Sequence, residues 1–530
     1  MFRKKLLLPI FRVNYALLVR RTDKMASSTR VQTVSKRKEI LIQAGLYAFS
    51  SQLTQLITLI AAILSRRFLG PAQVGVWATL QVIVEYSKYS TLGTLYSVAR
   101  EIPYMVGKGQ NKLADEIKNV VFTVVLSGSF LIAAGIILFA ILTKGRFAPE
   151  MTYGLFFVSG IIILQRINDL MISLLRCYKK FTIASSQMVW SAIVNAFLVA
   201  FLTYFFKIYG FIWAMGLSFI FNVLYIHWRN NFHFRLKFDP KRFKALTLFG
   251  FPLMLIGIIT TVLRSMDKIF IAKLLGFEAL GFYSIAFMVL SYIGNFSNSV
   301  AIVLVPHLQE RFAANDNPHD LSEFLYKAAH AFALTTPAMI GAAWIIAPYF
   351  IALLLPKFTP GIGAMKILSL SLFFLSLTQP YSDFLITIKK HLFLFPLLTL
   401  STTVTVILNY YVIHAGFGIT GVAWAMSFAA FFNFSTTYFL AARYLDEARE
   451  ALRKYMVLMS NAVYLLLVLF LINHWIPADI HSIPKAVIQF LIFLTCYGPL
   501  LILFNHKLKL IPINFKKQNP INVDLESNEF

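Results

Sequence analysis

The 530-residue sequence is 58% hydrophobic and 14% charged, against about 45–50% and 25% in ordinary soluble domains, which excludes a soluble enzyme as the main body of the chain. Its 49 Lys and Arg against 23 Asp and Glu give a net charge of +26, but the basic residues gather in the tails and in alternate loops between apolar runs, a pattern that orients a membrane protein and argues against nucleic acid as a partner. Two cysteines, Cys177 and Cys496, offer neither a disulfide framework nor a metal cluster.

From the N-terminus, the first 38 residues hold eleven Lys or Arg, among them Arg3, Lys4, Lys5, Arg20, Arg21, Lys36, Arg37 and Lys38. The apolar patch Leu6 to Ile10 within this arm is too short to cross a bilayer, and a secretory signal would need a longer apolar region and a small-residue cleavage site. Residues 1–38 are therefore expected to form a basic cytoplasmic arm that fixes orientation and touches anionic lipid, with translation starting at Met1 or at Met25. Apolar runs of about 20 residues, enough to cross roughly 30 Å of hydrocarbon as helix, then recur at 41–64, 74–98, 119–142, 152–175, 182–206, 209–228, 246–271, 280–304, 328–355, 364–387, 391–413, 417–441, 455–475 and 486–505. They predict an all-α polytopic membrane protein with fourteen transmembrane helices. The third, fifth, eleventh and thirteenth runs are nearly free of charge, whereas the ninth contains Pro337 and Pro348. Basic residues mark the loops expected inside: Lys179 and Lys180, then Arg229, Arg235, Lys237, Lys241, Arg242 and Lys244, then Lys389 and Lys390. Both termini are thereby expected in the cytoplasm and the number of spans even.

The chain also repeats itself. Leu69-Gly70 is followed by Gly75 and Trp77, and Leu275-Gly276 by Gly281 and Tyr283, an offset of 206. Gly210, Trp213, Ala214 and Met215 recur as Gly421, Trp424, Ala425 and Met426 at an offset of 211, and Tyr178-Lys179-Lys180 is echoed by Ile388-Lys389-Lys390. Six helices per copy, both copies starting on the same side, define a parallel repeat about a pseudo-two-fold axis along the membrane normal. The organisation expected is an arm at 1–38, a six-helix lobe at 39–228, a basic cytoplasmic linker at 229–244, a second six-helix lobe at 245–444, two further helices at 445–505 and a cytoplasmic tail at 506–530. The repeated glycines suit a tight reversal and close helix approach, and Trp77, Tyr283, Trp213 and Trp424 suit interfacial anchors.

In the order and spacing of these phrases, together with Asp267 upstream of the second, the sequence resembles the Wzx-type polysaccharide flippases of the multidrug/oligosaccharidyl-lipid/polysaccharide (MOP) exporter superfamily, which also holds the lipid II flippases and the MATE drug exporters. The resemblance covers roughly residues 39–505. It implies two six-helix lobes in a V around a central cavity, two extra C-terminal helices, an inner-membrane location, and movement of a polyprenyl-diphosphate-linked oligosaccharide to the outer leaflet. A polysaccharide polymerase and glycosyltransferases are the protein partners it implies.

Chemistry in such a chain lies with charges inside the membrane, which cost from about 2.5 to more than 10 kcal/mol each at the bilayer centre and so face a cavity or a partner. Three clusters set opposite charges three residues apart on one helix face: Glu85 with Lys88, Arg166 with Asp169, and Arg264 with Asp267 and Lys268. Asp383 is a fourth candidate. Each cluster could be a self-neutralising staple between helices. In the functional reading, Arg264, Lys268, Arg166 and Lys88 meet diphosphate or acidic sugar, while Asp267, Asp169, Glu85 and Asp383 hold them in place or carry a coupling ion. Arg66 and Arg67 at the outer end of the first span are read as headgroup contacts at the exit. Gly250, Pro252 and Gly257 are candidate bending points in the seventh span.

A carrier is needed because each unpaired sugar hydroxyl dragged through hydrocarbon costs on the order of 2–7 kcal/mol. No phosphate-binding loop of the Gly-x-x-x-x-Gly-Lys-[Ser/Thr] type is present, so no nucleotide cofactor is expected. Proton or sodium coupling, or the membrane potential at about 2.3 kcal/mol per charge per 100 mV, is left as the drive. A MATE-like cation-coupled drug exporter is the main rival, distinguished by an acidic and aromatic cavity. A membrane glycosyltransferase or polymerase is disfavoured by the short outward loops.

Overall fold

The computed structural model describes residues 8–315, 317–476 and 482–508. The start of the basic arm, residues 1–7, and the end of the expected tail, 509–530, lie outside the described residues. Helices account for nearly all the rest: α1 (Leu8–Ser87), α2 (Thr94–Gly107), α3 (Asn111–Leu142), α4 (Pro149–Cys177), α5 (Phe181–Asn230), α6 (Pro240–Leu274), α7 (Phe277–Asn315), α8 (Ser322–Leu354), α9 (Ile362–Thr387), α10 (Leu394–His414), α11 (Gly418–Ala442), α12 (Ala448–Trp475) and α13 (Ile483–Leu508), with no strand among the described residues. Among the described residues, eleven helices are long and apolar enough to cross a membrane. This is the architecture hydrocarbon demands, since a helix satisfies its own backbone polar groups.

Two of the longest helices are each broken at one residue. In α1 the break is Gly70 (φ 73°, ψ 173°); in α5 it is Lys207 (φ 53°, ψ −132°). Each falls between two predicted spans. The second predicted span is itself interrupted, by a 3₁₀ turn at Lys88–Thr91 followed by left-handed Leu92 (φ 49°) and Gly93 (φ 81°). Hydroxyls in this stretch bond locally, Thr91 to the Lys88 carbonyl and Thr94 to the Thr91 carbonyl, an alternative to the helical ladder. Pro337 and Pro348 lie inside α8, which covers the ninth predicted span. Gly250 lies inside α6 at a close approach: a Cβ there would collide with the Gly93 carbonyl.

The helices gather into two compact units. The first comprises the chain up to Leu69 together with Ile83–Leu255; the second comprises Gly70–Val82 and the chain from Ile256 onward. The core of the first packs Val98, Ile102, Val121, Leu170, Leu174 and Ile226. Here the basic linker is an ordered strap rather than a free loop. The Arg235 and Lys237 backbone N–H groups donate to Asn119 Oδ1 (3.1 Å) and Thr123 Oγ1 (2.9 Å) of α3. Phe234 stacks on Phe122 at 4.5 Å. Glu116 binds both Lys237 and Arg242, and the Lys237 hydrogen bond, with both cations, holds its carboxyl below the usual carboxylate range.

In the second unit Phe332, Phe373, Phe384, Phe434 and Tyr438 form the core, and the two C-terminal helices are part of it. Phe493 fills the space a Cβ on Gly341 would need, Tyr497 donates to the Leu334 carbonyl (3.2 Å), and Tyr349 donates to Gln489 Oε1 (3.1 Å).

The repeated phrases have repeated geometry. Lys179 and Lys389 are both left-handed (φ 56° and 60°). Their turns carry matching hydrogen bonds, with Lys180 N–H to the Leu175 carbonyl and Lys390 N–H to the Leu385 carbonyl both at 2.8 Å. The Leu-Gly phrases meet each other: a Cβ on Gly75 would collide with the Phe277 carbonyl, and one on Gly281 with the Pro71 carbonyl, so each copy's second glycine packs on the residue after the other copy's first.

Three outcomes test these local readings. Lys207→Gly should raise the thermal midpoint in detergent by the equivalent of about 1 kcal/mol, because a side chain at that φ/ψ is strained; Lys207→Ala should not. Gly75→Ala should cost about 1–3 kcal/mol by overpacking. For the strap, Glu116 contributes above its unfolded pKa, and the contribution fades as pH falls through the lowered folded value. Glu116→Gln should therefore lower amide protection at Arg235 and Lys237 at neutral pH, a change the parent should show only in acid.

Candidate functional site

In the first unit, the charges predicted on two separate spans come together. The collision a Cβ on Gly128 would make with the Ser90 carbonyl shows how closely the 3₁₀ turn approaches α3. Lys88 opens that turn, its Nζ 5.0 Å from the Tyr89 ring centre. On α4, Arg166 Nη1 pairs with Asp169 Oδ2 at 3.1 Å, and Asp169 lies within electrostatic range of Lys88 and Arg176. Arg166 is only 4% exposed, whereas the Asp169 side chain is 38% exposed. Around this pair, Gln165 Oε1, Arg166 Nε and Asn168 Oδ1 are buried with no hydrogen-bond partner. A buried unsatisfied polar group costs roughly 1–3 kcal/mol. Glu85, three residues before Lys88, is half-buried.

The cluster of Arg264, Asp267 and Lys268 on α6 does not hold together as one face. Arg264 is exposed and Asp267 fully buried, and among the described residues no ion pair joins them. Asp267 Oδ1 accepts the Lys268 backbone N–H at 2.8 Å, while Lys268 Nζ sits 4.5 Å from the Phe287 ring centre. Tyr283, read as an interfacial anchor, is instead 0% exposed. Its hydroxyl lies beside the Asp267 carboxylate, the two groups facing each other in the buried interior. The phrase's aromatic is thus buried beside an acid; the matching Trp77 is half-buried.

The remaining candidates stand apart from these clusters. Asp383 is buried on α9, where its own-helix neighbour Gln379 donates to both carboxylate oxygens at 3.0 and 3.2 Å. Arg66 turns back on its helix, with Nη1 donating to the Ala62 carbonyl at 3.1 Å; Arg67 is exposed. Trp213 donates to the Tyr153 hydroxyl at 2.7 Å, and Trp424 is exposed.

Sequence reasoning passed over several residues. Lys366, one turn into α9, places its Nζ 4.0 Å from the Trp344 ring centre; a lone cation near a span's end gave no pattern to read. Gln187 donates to Asn222 Oδ1 and Ser401 to Asn433 Oδ1, both at 3.2 Å. Asn222 and Asn433 share the 211-residue offset of Trp213 and Trp424, a signal that could have been found.

The fold is that of MOP-superfamily transporters. The chain matches a structure described as "Lipid II flippase MurJ, inward closed conformation" with TM-score 0.64 and 16% identity, over 88% of this chain and 99% of that one. An inward-facing MATE-family multidrug transporter matches with TM-score 0.62 and 17% identity, over 73% and 95%. A MOP-superfamily transporter from Pyrococcus furiosus matches with TM-score 0.53 and 16% identity, over 76% and 93%. No curated protein sequence matches the chain. Residues 63–358, more than half the chain, match the family described as polysaccharide biosynthesis protein, and the chain belongs to that family.

The ion pair on α4 yields a clear expectation. Arg166→Met alone leaves Asp169 without its partner and should lower stability by about 1–3 kcal/mol, below the usual cost for a buried pair because Asp169 is partly exposed. Adding Asp169→Leu should recover most of the loss in a thermal-unfolding series.

Proposed function

We propose that this protein is a secondary-type flippase, and not an enzyme, that moves polyprenyl-diphosphate-linked oligosaccharide, the repeat unit of a polysaccharide, from the cytoplasmic to the outer leaflet of the inner membrane by alternating access. The observation that carries the reading is the meeting of Lys88, Arg166 and Asp169 on neighbouring helices, in a chain of the polysaccharide biosynthesis family. Two cations and one acid leave a net positive site, suited to phosphate oxygens. Arg264 and Lys268 are proposed as further cargo contacts, Asp267, Glu85 and Asp383 as acids that orient cations or carry a coupling ion, and Arg66 and Arg67 as headgroup contacts at the exit.

The topology belongs to the same proposal: fourteen spans in two six-helix lobes plus two C-terminal helices, with both termini inside. The breaks at Gly70 and Lys207, and the long helix Gly418–Ala442, support that count. So do the paired turn geometries. The lobes follow the boundaries 39–228 and 245–444. Exchange of a proton or sodium ion, or the membrane potential, supplies the drive. A polymerase and glycosyltransferases are the proposed protein partners.

Likeness to MATE transporters keeps cation-coupled drug export as a second reading. The cations of the α4 cluster count against it, because a cationic drug would meet like charge.

Reconstitution in proteoliposomes with a fluorescent polyprenyl-diphosphate oligosaccharide tests the reading. Arg166→Met/Asp169→Leu should keep its stability and lose flipping about tenfold or more, the cost of losing a charge-assisted phosphate contact. Arg264→Ala, at an exposed position, should lower flipping with little change in thermal midpoint. Unchanged flipping in both would return these groups to a structural role.

A further inference from the structure

We propose that Gln165 and Asn168 read the sugar portion of the cargo, accepting hydrogen bonds from hydroxyl or acetamido N–H groups next to the diphosphate held at Arg166; this rests on the flippase reading. The first support is the exposure of Asp169. A carboxylate 38% exposed within α4 cannot open onto hydrocarbon, so this face of α4 borders water or polar ligand. Gln165 stands one turn before Asp169 on that face.

The second support is what these amides lack. Several buried amides are tied to partners: Gln187 to Asn222, Asn433 to Ser401, Gln489 to Tyr349 and the Ile476 carbonyl. Gln165 Oε1 and Asn168 Oδ1 are buried with no hydrogen-bond partner, and so is Arg166 Nε between them. Gln73 and Asn409 also bury open amide atoms, but neither flanks an ion pair. Two acceptors and one cationic donor within one turn of α4 form a set that phosphate alone does not use, because phosphate oxygens supply acceptors. A sugar supplies the donors, and a site built to bond a hydroxyl discriminates against a cargo lacking it.

The test compares two fluorescent probes in proteoliposomes: a bare polyprenyl diphosphate, and the same lipid carrying an N-acetylhexosamine disaccharide. The parent should flip the glycosylated probe faster. In Gln165→Met/Asn168→Leu that preference should fall about tenfold or more while the bare probe moves as before. An unchanged ratio, or a parent without preference, would overturn the inference and leave the flippase reading standing, with water as the partner of these atoms. Movement of neither probe by the parent would overturn both. Should the double variant fold poorly, thermal shifts of the parent and of Asn168→Ser with the two probes in detergent repeat the comparison: the sugar-dependent part of the shift should shrink in the variant, and an equal shift would count against the inference.

Discussion

A charge at membrane depth must be paired or wetted, and the most informative features of this chain follow from that constraint. The hydrocarbon demands closed backbone hydrogen bonding, which produces the helices. It also makes the Arg166–Asp169 pair, with Lys88 in electrostatic range, too costly to be incidental. The pair leaves Asp169 open on one side and neighbouring polar atoms without partners.

Duplication explains much of the remaining architecture. Each copy opens with a glycine reversal, and the two reversals pack glycine against backbone in reciprocal fashion. Each copy has a left-handed lysine turn with the same hydrogen bonds. Asn222 and Asn433, at the 211-residue offset, each accept a hydrogen bond, from Gln187 and Ser401. The copies diverge at the turn that follows the fifth helix: the first strains Lys207, and the second uses Gly416 and Gly418. In the proposed carrier, equivalent elements of the two halves would face each other across the axis along the membrane normal.

Much of this was legible in the sequence, because apolar run length and the Leu-Gly phrases are local signals. The helices, the reversal at Gly70 and the Arg166–Asp169 pairing belong to that class. What was not legible depends on packing between distant segments. The spacing of Arg264 and Asp267 suggested one face, yet Asp267 is drawn into the interior beside Tyr283 while Arg264 stays exposed. Tyr283 looked like an anchor because aromatics at helix ends favour interfaces; burial in the second unit overrides that tendency. The linker's charge placed it on one side of the membrane but gave no sign that Glu116 and the stacked Phe122 and Phe234 fasten it to α3. Gln165 and Asn168 drew no notice because an amide in an apolar run carries no formal charge.

The most direct measurement is transport by the unmodified chain in proteoliposomes, comparing a fluorescent polyprenyl-diphosphate oligosaccharide with a cationic dye. Leaflet-to-leaflet movement of the lipid-linked sugar, without movement of the dye, is the expected result. Dye movement with the lipid-linked sugar left in its original leaflet would contradict the flippase reading.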